Sequence, residues 1–304
     1  MRYWLGVTDN RWFNFLSQRR LDEVNFWQPT ATPPFRHLPV GTPFLFKLRA
    51  PNNCIAGGGY FVQFTRLPLS LAWDVFEEKN GCNSLGELHT HIATMANGDR
   101  EPNPDIGCSV LTDVFYLPRE NWISVEGRFP RQAVRGRTYD TTISIEAELW
   151  EMVQAARAKS GVAEPTVNIE ENRFGRDFLT HARLGQGSFR SLVIDAYHRR
   201  CAVTGETTLP VLEAAHIIPY ANQGLHRISN GLLLRSDFHK LFDARLITIG
   251  PDYRIRVSSR IHEQYFNGKV YNDLDGKQLR VVPDDPHDRP NPDFLRWHNE
   301  RFAA

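Results

Sequence analysis

Short runs of β-favouring residues, separated by proline and glycine turns, dominate the first half of this 304-residue chain. FLFKLRA, YFVQFTRL, CSVLTDVFYL and NWISV are such runs, and the turns between them are PVGTP, PNN and the triple glycine Gly57-Gly58-Gly59. Many short strands with turn signals are typical of a small closed or half-closed barrel. Residues 10–18 and 71–78 predict two helices beside it.

The pattern changes after residue 143 and indicates a second unit. ISIEAELWEMVQAARAKS has apolar residues at helical spacing and ends at Gly161, and GVAEPTVNIEEN is a polar linker broken by a proline. We therefore predict an α+β chain with a barrel domain over residues 1–150, a helix and linker over 151–175, and a second domain over 176–304.

Composition excludes several classes of protein. No apolar run approaches the roughly 18 residues of a membrane span, and MRYWLGVTDNRW lacks the features of a signal peptide. The four cysteines, Cys54, Cys82, Cys108 and Cys201, are far apart, which argues against a disulfide scaffold and a four-cysteine zinc site. We expect a cytoplasmic protein in which Cys201 is a buried core thiol.

The net charge of +1 conceals two basic tracts. Residues 173–200 carry six arginines and two acids, and residues 128–137 carry four arginines and no acid. Local charge governs encounters with nucleic acid more than the total does. Each tract alone suits a solvated surface, but one leads into the motif described next and the other closes the first domain.

A strand–strand–helix pattern follows the linker. VLEAAHI predicts a strand, NGLLL its return strand, and SDFHKLFD a short helix with Ser236 as its N-cap. LITIG and YRIRVS predict a hairpin after it. The segment before these strands, RLGQGSFR onward, predicts one helix that begins near Gly185 and Gly187.

AAHIIP, SNG and DFHKLFD, with the flanks RLGQGSFR and RCAVTG, resemble the His-Asn-His (HNH, ββα-metal) nucleases and in particular their restriction-enzyme branch, over roughly residues 180–260. The resemblance implies a metal-dependent DNA endonuclease. It assigns His216 as general base, Asn230 as the residue that pins the turn between the strands, and His239 as a metal ligand.

The chemistry suits these residue types. Hydrolysis of a phosphodiester needs a base that takes a proton from water and a cation that stabilises charge on the phosphate and the leaving oxygen. An imidazole that titrates near neutrality suits the first task. For the second we expect Mg²⁺, Mn²⁺, Co²⁺ or Ni²⁺.

One position departs from the family pattern. Many relatives carry a metal-binding Asp or His immediately before the base, where this chain has Ala215. Glu213 lies two residues earlier, about 7 Å along a strand and on the same face, so we nominate it as a second metal ligand. The alternative is that Glu213 makes a local salt bridge and water completes the metal shell.

Several side chains are candidates for contacts to the DNA backbone. Arg183, Gln186 and Arg190 lie beside glycines that would let the main chain approach DNA closely. His226 and Arg227 lie between the two predicted strands, where a phosphate contact and a solvated loop are equally compatible with the sequence.

In the first domain, LDEVNFWQP, VGTPFLFKLRAPNNCIAGGGYFV and LSLAWDVFEEKNGC resemble the EVE-like members of the PUA superfamily, small β-barrels of which some hold a flipped, modified base. A flipped base needs ring stacking and polar groups for its exposed edge. We nominate Asn25, Trp27, Tyr60 and Trp73 for this pocket, with the alternative that these aromatic residues are core.

The two halves together predict a modification-dependent DNA restriction endonuclease that binds 5-methyl- or 5-hydroxymethylcytosine and cuts nearby. The alternatives are a restriction enzyme that recognises unmodified sequence and a non-catalytic DNA-binding protein. The expected partner is double-stranded DNA, and we expect a homodimer because one such site cuts one strand. The tail over residues 283–304 receives no functional interpretation.

Overall fold

The computed structural model describes residues 1–96, 101–130, 132–161, 175, 178–179, 182, 184–222, 224–266 and 268–303. Its contacts divide the chain into two compact units, Met1–Ser188 and Phe189–Ala304. The first unit contains a large sheet with helices and the second contains short hairpins with helices, which confirms the predicted α+β class. The sequence places the start of the second domain at residue 176, and that boundary remains a prediction.

The N-terminal unit is built on one seven-stranded sheet. Its strands are β1 (Arg2–Thr8), β2 (Val24–Gln28), β3 (Pro43–Leu48), β4 (Cys54–Pro68), β5 (Asp105–Tyr116), β6 (Ile123–Ser124) and β7 (Gly136–Asp140). They follow the order β2-β5-β4-β3-β1-β7, with β6 on β4, and β1 and β3 pair in parallel while the other pairs are antiparallel. Its helices are α1 (Asn10–Arg19), α2 (Leu69–Phe76), α3 (Leu85–Ala96) and α4 (Ser144–Lys159). The two helices predicted at 10–18 and 71–78 are therefore present, and α3 was not predicted.

The triple glycine lies inside β4 and is not a turn, so the prediction at this place is wrong. Gly58 pairs with Leu45 on one side and with Phe115 on the other. A Cβ on Gly58 would lie 2.7 Å from the carbonyl oxygen of Phe44. The glycines thus serve the close approach of neighbouring strands at an irregular part of the ladder.

Helix α4 covers the sheet through the residues that its sequence spacing predicts. Leu149 and Val153, four residues apart, are fully buried, and they pack in one cluster with Tyr3, Leu5 and Phe115. Burial of one such aliphatic side chain stabilises a fold by about 1.5–3 kcal/mol.

The C-terminal unit contains two short hairpins and several helices. Helix α5 (Gln186–Ala196) leads into it, followed by β8 (Leu212–His216), β9 (Gly231–Arg235), α6 (Ser236–Asp243), β10 (Ile247–Ile249), β11 (Ile255–Val257), α7 (Arg260–Tyr265), α8 (Lys269–Asn272) and α9 (Pro292–Asn299). The pairing of β10 with β11 confirms the hairpin predicted from LITIG and YRIRVS. Helix α9 explains part of the C-terminal tail, because it buries Leu295 and His298.

All four cysteines are buried, and Cys201 is the core thiol that the sequence predicts. The Cys201 Sγ accepts hydrogen bonds from the backbone N–H groups of Thr204 and Arg235 at 3.5 and 3.3 Å. In the described part of the chain, no helix is both long and apolar enough to cross a membrane.

Candidate active site and base-binding cavity

Strands β8 and β9 and helix α6 form the predicted strand–strand–helix frame. The two strands pair antiparallel, with His216 opposite Gly231 at the end of the ladder next to the loop that joins the strands. Helix α6 begins directly after β9, and its capping residue is Arg235 rather than the predicted Ser236. The Arg235 side chain makes no capping hydrogen bond, and its guanidinium instead binds the carboxylate of Asp237 at 2.7 and 2.8 Å.

Asn230 is fully buried and ties the loop between the strands to the end of β8. Its Oδ1 accepts from the backbone N–H of Ile218 at 2.9 Å, and its Nδ2 donates to the carbonyls of Ile218 and Leu225, both at 3.0 Å. The backbone carbonyl of Asn230 also accepts from Ile217. These bonds fix the chain immediately after His216, which is the location that the resemblance implies for this residue.

The His216 ring is held from two sides. It stacks on Phe189 with ring centroids 3.9 Å apart, and its Nε2 lies 3.1 Å from Nδ1 of His226. His226 in turn stacks on Tyr220 at 4.7 Å. Burial lowers the pKa of His216 to about 4, and the neighbouring His226 and His239 add to this effect. His216 is therefore neutral at physiological pH, the form that accepts a proton.

His239 lies between two carboxylates. Its Nδ1 is 2.6 Å from Glu213 Oε2, and its Nε2 is 3.4 Å from Asp243 Oδ2, one helical turn further on. Ala215 is fully buried, whereas the Glu213 side chain is 41% exposed. The structure thus brings Glu213 and His239 together, as the sequence predicts, and adds Asp243, which sequence reasoning missed although its i,i+4 spacing from His239 was visible.

The pair of Glu213 and His239 suits a divalent cation. An imidazole nitrogen and a carboxylate oxygen are common ligands of first-row divalent ions. Within the residues that the structure describes, no group of three or more His, Cys, Asp and Glu side chains is arranged to hold a metal ion.

The residues predicted to contact the DNA backbone have different locations. Arg183 lies outside the described residues. Gln186 is exposed at the first position of α5, and Arg190 is half-buried one turn later. The glycines beside them face protein in this structure, since a Cβ on Gly185 would lie 2.6 Å from the carboxylate of the buried Glu23.

Two adjoining cavities of about 350 and 690 Å³ lie in the N-terminal unit. They share five lining residues, which come from α1, β2, α3 and the end of β3: Asp9, Trp12, Trp27, Arg49 and Met95. Of the nominated pocket residues, Trp27 lies in both linings. The Trp27 ring is held by a hydrogen bond from its Nε1 to the carbonyl of Asn80 at 2.7 Å.

Two side chains of opposite charge, Asp9 and Arg49, line both cavities. Asp9 caps α1 through Oδ1, which accepts from the N–H groups of Arg11 and Trp12, and its Oδ2 lies 3.8 Å from the Arg49 guanidinium. The Nε1 of Trp12 is buried and has no acceptor among the described residues. The cavity wall therefore presents a carboxylate acceptor and a cationic donor beside two aromatic rings.

The other nominated pocket residues lie elsewhere. Asn25 is fully buried beneath Trp27, and its Nδ2 donates to Asn80 Oδ1 at 2.9 Å. Tyr60 is a core residue whose hydroxyl accepts from Arg157 at 2.8 Å. Trp73 is half-buried on α2. In the described residues, none of these three lines either cavity.

Sequence reasoning missed Asp9, Trp12 and Arg49. Asp9 directly precedes the predicted helix, so its role as N-cap was visible in the sequence. Trp12 lies three residues after Asp9, a spacing that places two side chains on the same face of a helix. Arg49 carried no such local signal, because only the pairing of β1 with β3 brings it beside Asp9.

Comparisons with known proteins give one family match and several structural matches. Residues 201–250 match the family model of the HNH endonucleases. No curated protein matches the chain.

Three solved structures are similar to it. An ASCH protein from Zymomonas mobilis has 10% identity and a TM-score of 0.35, covering 48% of this chain and 93% of that one. A point mutant of the same protein has 9% identity and a TM-score of 0.34, covering 48% of this chain and 96% of that one. The modification-dependent restriction endonuclease TagI has 14% identity and a TM-score of 0.31, covering 93% of this chain and 76% of its own.

The matched segment contains His216, Asn230 and His239 within the frame of β8, β9 and α6. The chain therefore contains an HNH endonuclease domain.

Proposed function

We propose that this protein is a modification-dependent DNA restriction endonuclease. Its N-terminal unit binds a flipped 5-methyl- or 5-hydroxymethylcytosine, and its HNH domain hydrolyses phosphodiester bonds nearby. The observation that carries the proposal is the cavity in which Trp12 and Trp27 meet the Asp9–Arg49 pair, in the same chain as the HNH site.

The cavity suits a cytosine ring. Its volume is within the range of small-ligand sites, and two tryptophans offer stacking surfaces. Cytosine presents one amino donor and two acceptors on its pairing edge. Asp9 Oδ2 suits the amino group, and the Arg49 guanidinium suits the acceptors.

The HNH residues suit hydrolysis of the backbone. Neutral His216 takes the proton of the attacking water, and Asn230 holds the chain that positions it. A divalent cation held by Glu213 and His239 would stabilise charge on the phosphate and the leaving oxygen. His226, whose Nδ1 lies 3.1 Å from Nε2 of His216, holds the imidazole ring of the general base in place.

The proposed partner is double-stranded DNA, and the proposed active form is a homodimer. A single HNH site cleaves one strand, so a double-strand break needs two sites.

The decisive test is digestion of matched duplexes that differ only in cytosine modification, with Mg²⁺, Mn²⁺, Co²⁺ or Ni²⁺ and with EDTA. We expect cutting of modified DNA only, and none in EDTA. Equal cutting of both duplexes would favour the enzyme that recognises unmodified sequence. Activity that persists in EDTA would reject the metal mechanism, and binding without cutting under every ion would favour the non-catalytic protein.

Asp9→Asn tests the cavity without removing the helix cap, because Asn caps helices as well as Asp does. It replaces the Oδ2 acceptor with an amino donor that opposes the cytosine amino group. Loss of one buried hydrogen bond costs about 1–3 kcal/mol, so binding of modified duplex in EDTA should weaken about five- to a hundredfold. Unmodified duplex should be little affected.

Glu148→Gln is the matched control, because it removes the same charge from an exposed position on α4. Equal affinity of the wild-type protein for the two duplexes, at one salt concentration, would reject the reader role. An Asp9→Asn variant that keeps the full preference would remove this cavity from the proposal.

A further inference from the structure

A third cavity, of about 510 Å³, lies in the N-terminal unit beside the base-binding cavity. Asn52 and Asn53 of one loop, Ser124 of β6 and Gly127 after it form part of its wall, and Lys47 of β3 reaches it from the sheet. Val7 lines both this cavity and the smaller base-binding cavity. The two sites are therefore separated by little more than one strand.

Lys47 is unusual among the lining residues, because it is a charged side chain in a residue that is only 8% exposed to solvent. Its Nζ donates to Asn53 Oδ1 at 3.0 Å and lies 5.1 Å from the centre of the Phe129 ring. Both partners are neutral, and the contacts of Lys47 among the described residues include no carboxylate. A buried cation without a counter-ion is costly and favours an anion as a partner.

The surroundings do not supply that anion. Glu126 is the acidic member of the described lining, and it is exposed to solvent. Arg128 and Arg135 belong to the same loop, and the Nε of Arg128 is buried without an acceptor among the described residues. Burial lowers the pKa of Lys47, and although the nearby Cys54 opposes this shift, Arg49 adds to it. Phe129, Pro130 and Ala133 of this loop line the cavity, so Lys47 is the cationic side chain of its described lining.

We propose that this cavity binds a phosphate of the DNA backbone next to the flipped nucleotide, with Lys47 as the cation that contacts it. The inference rests on the proposed function for its ligand. Asn53 and Phe129 hold the ammonium group in advance, which reduces the entropy lost on binding. Ser124 and Asn52 offer neutral donors to the remaining phosphate oxygens.

The test measures binding of the full chain to modified and unmodified duplexes in EDTA, across a series of salt concentrations. Lys47→Met keeps the length of the side chain and removes its charge. Loss of one phosphate contact should reduce the slope of log K against log salt by about 0.9. The substitution should also lower the affinity for both duplexes alike, by about three- to tenfold at low salt. Lys47→Arg, which keeps the charge, should retain most of the wild-type slope.

Lys159→Met is the matched control, since this lysine is exposed at the end of α4 and lies outside the cavity lining. A second measurement compares melting temperatures in inorganic phosphate and in chloride at equal ionic strength. Phosphate should stabilise the wild type, and this gain should be absent in Lys47→Met.

The outcomes separate this inference from the proposed function. A wild type that binds both duplexes equally rejects the reader role, yet the change of slope in Lys47→Met still supports the phosphate site. An unchanged slope in a folded Lys47→Met variant overturns the inference, whichever of the two duplexes the wild-type protein prefers. A lower melting temperature together with an unchanged slope would make Lys47 a structural residue and would also overturn it.

Discussion

At the scale of single residues, two histidines of the C-terminal unit are kept neutral by burial, for different purposes. His216 has its pKa lowered to about 4 beside His226 and the proposed metal ligand His239. His298 has its pKa lowered to about 3 by burial and by Arg245. Its Nε2 donates to the carbonyl of Phe242, so its Nδ1 accepts from the Thr248 hydroxyl. We expect the first to act in catalysis and the second in stability.

His216→Ala should abolish cleavage and leave DNA affinity nearly unchanged, because the proposed base acts on water. General-base catalysis contributes about 10²–10⁴-fold, so initial rates with radiolabelled duplex should fall by at least a hundredfold. His287→Ala, at a position with a 75% exposed side chain, is the control. A variant that retained more than about a tenth of the wild-type rate would show that His216 is not the sole base.

Because His298 is buried in its neutral form, we expect the free energy of unfolding to fall in mild acid. Its pKa is lower in the folded state than the usual unfolded value of about 6.5, so the unfolded chain binds more protons and stability falls as pH drops below about 6.5. Between pH 7.5 and 5.5 this group should cost about 1.4 kcal/mol. Urea unfolding of the wild type and of His298→Gln at both pH values measures it.

Between these two pH values His298→Gln should lose about 1.4 kcal/mol less stability than the wild type. The buried His216 is present in both proteins, so its contribution cancels in this comparison. His287→Gln should behave as the wild type does. Identical pH dependence of the wild type and His298→Gln would contradict the assignment of His298 as a buried neutral residue.

At the scale of elements, β4 depends on the absence of side chains at its centre. A Cβ on Gly58 would meet the backbone carbonyl of Phe44 at 2.7 Å and side-chain atoms of Leu45 at 2.9 Å. Overpacking of this kind costs about 1–3 kcal/mol. Gly58→Ala should therefore lower the free energy of unfolding of the N-terminal unit by that amount in chemical denaturation.

Gly86, near the start of α3, is the matched control because a Cβ there meets nothing within 4 Å. Gly86→Ala should be neutral or stabilising, by about 0.4–1 kcal/mol, since alanine restricts the unfolded chain. If Gly58→Ala were as stable as the wild type, the strands around β4 would have more room than their spacing indicates.

At the scale of the whole molecule, the strand–strand–helix frame was predicted because local sequence encodes it. The strand–strand–helix frame spans only residues 212–243, so its residues reach one another through neighbouring elements of the chain. Glu213 and His239 could be paired in advance because one strand and one helix set their positions. The short β-rich runs likewise predicted most of the sheet.

What the sequence did not predict depends on long-range pairing. Asp9 and Arg49 are forty residues apart and meet only because β1 lies beside β3. The role of Tyr60 in the core, with its hydroxyl bonded to Arg157, depends on where α4 packs. The triple glycine has the composition of a turn, and only the strands on either side of it reveal why glycine is needed there.

The four buried cysteines can report partial unfolding of the chain, because each becomes reactive only when its surroundings open. Alkylating reagents attack the thiolate, so they require both access and a lost proton, and burial raises the pKa of Cys82 to about 12. Cys54, Cys82 and Cys108 belong to the N-terminal unit, and Cys201 belongs to the C-terminal unit. Mass spectrometry of a brief alkylation pulse would therefore read, residue by residue, which unit had opened and for how long.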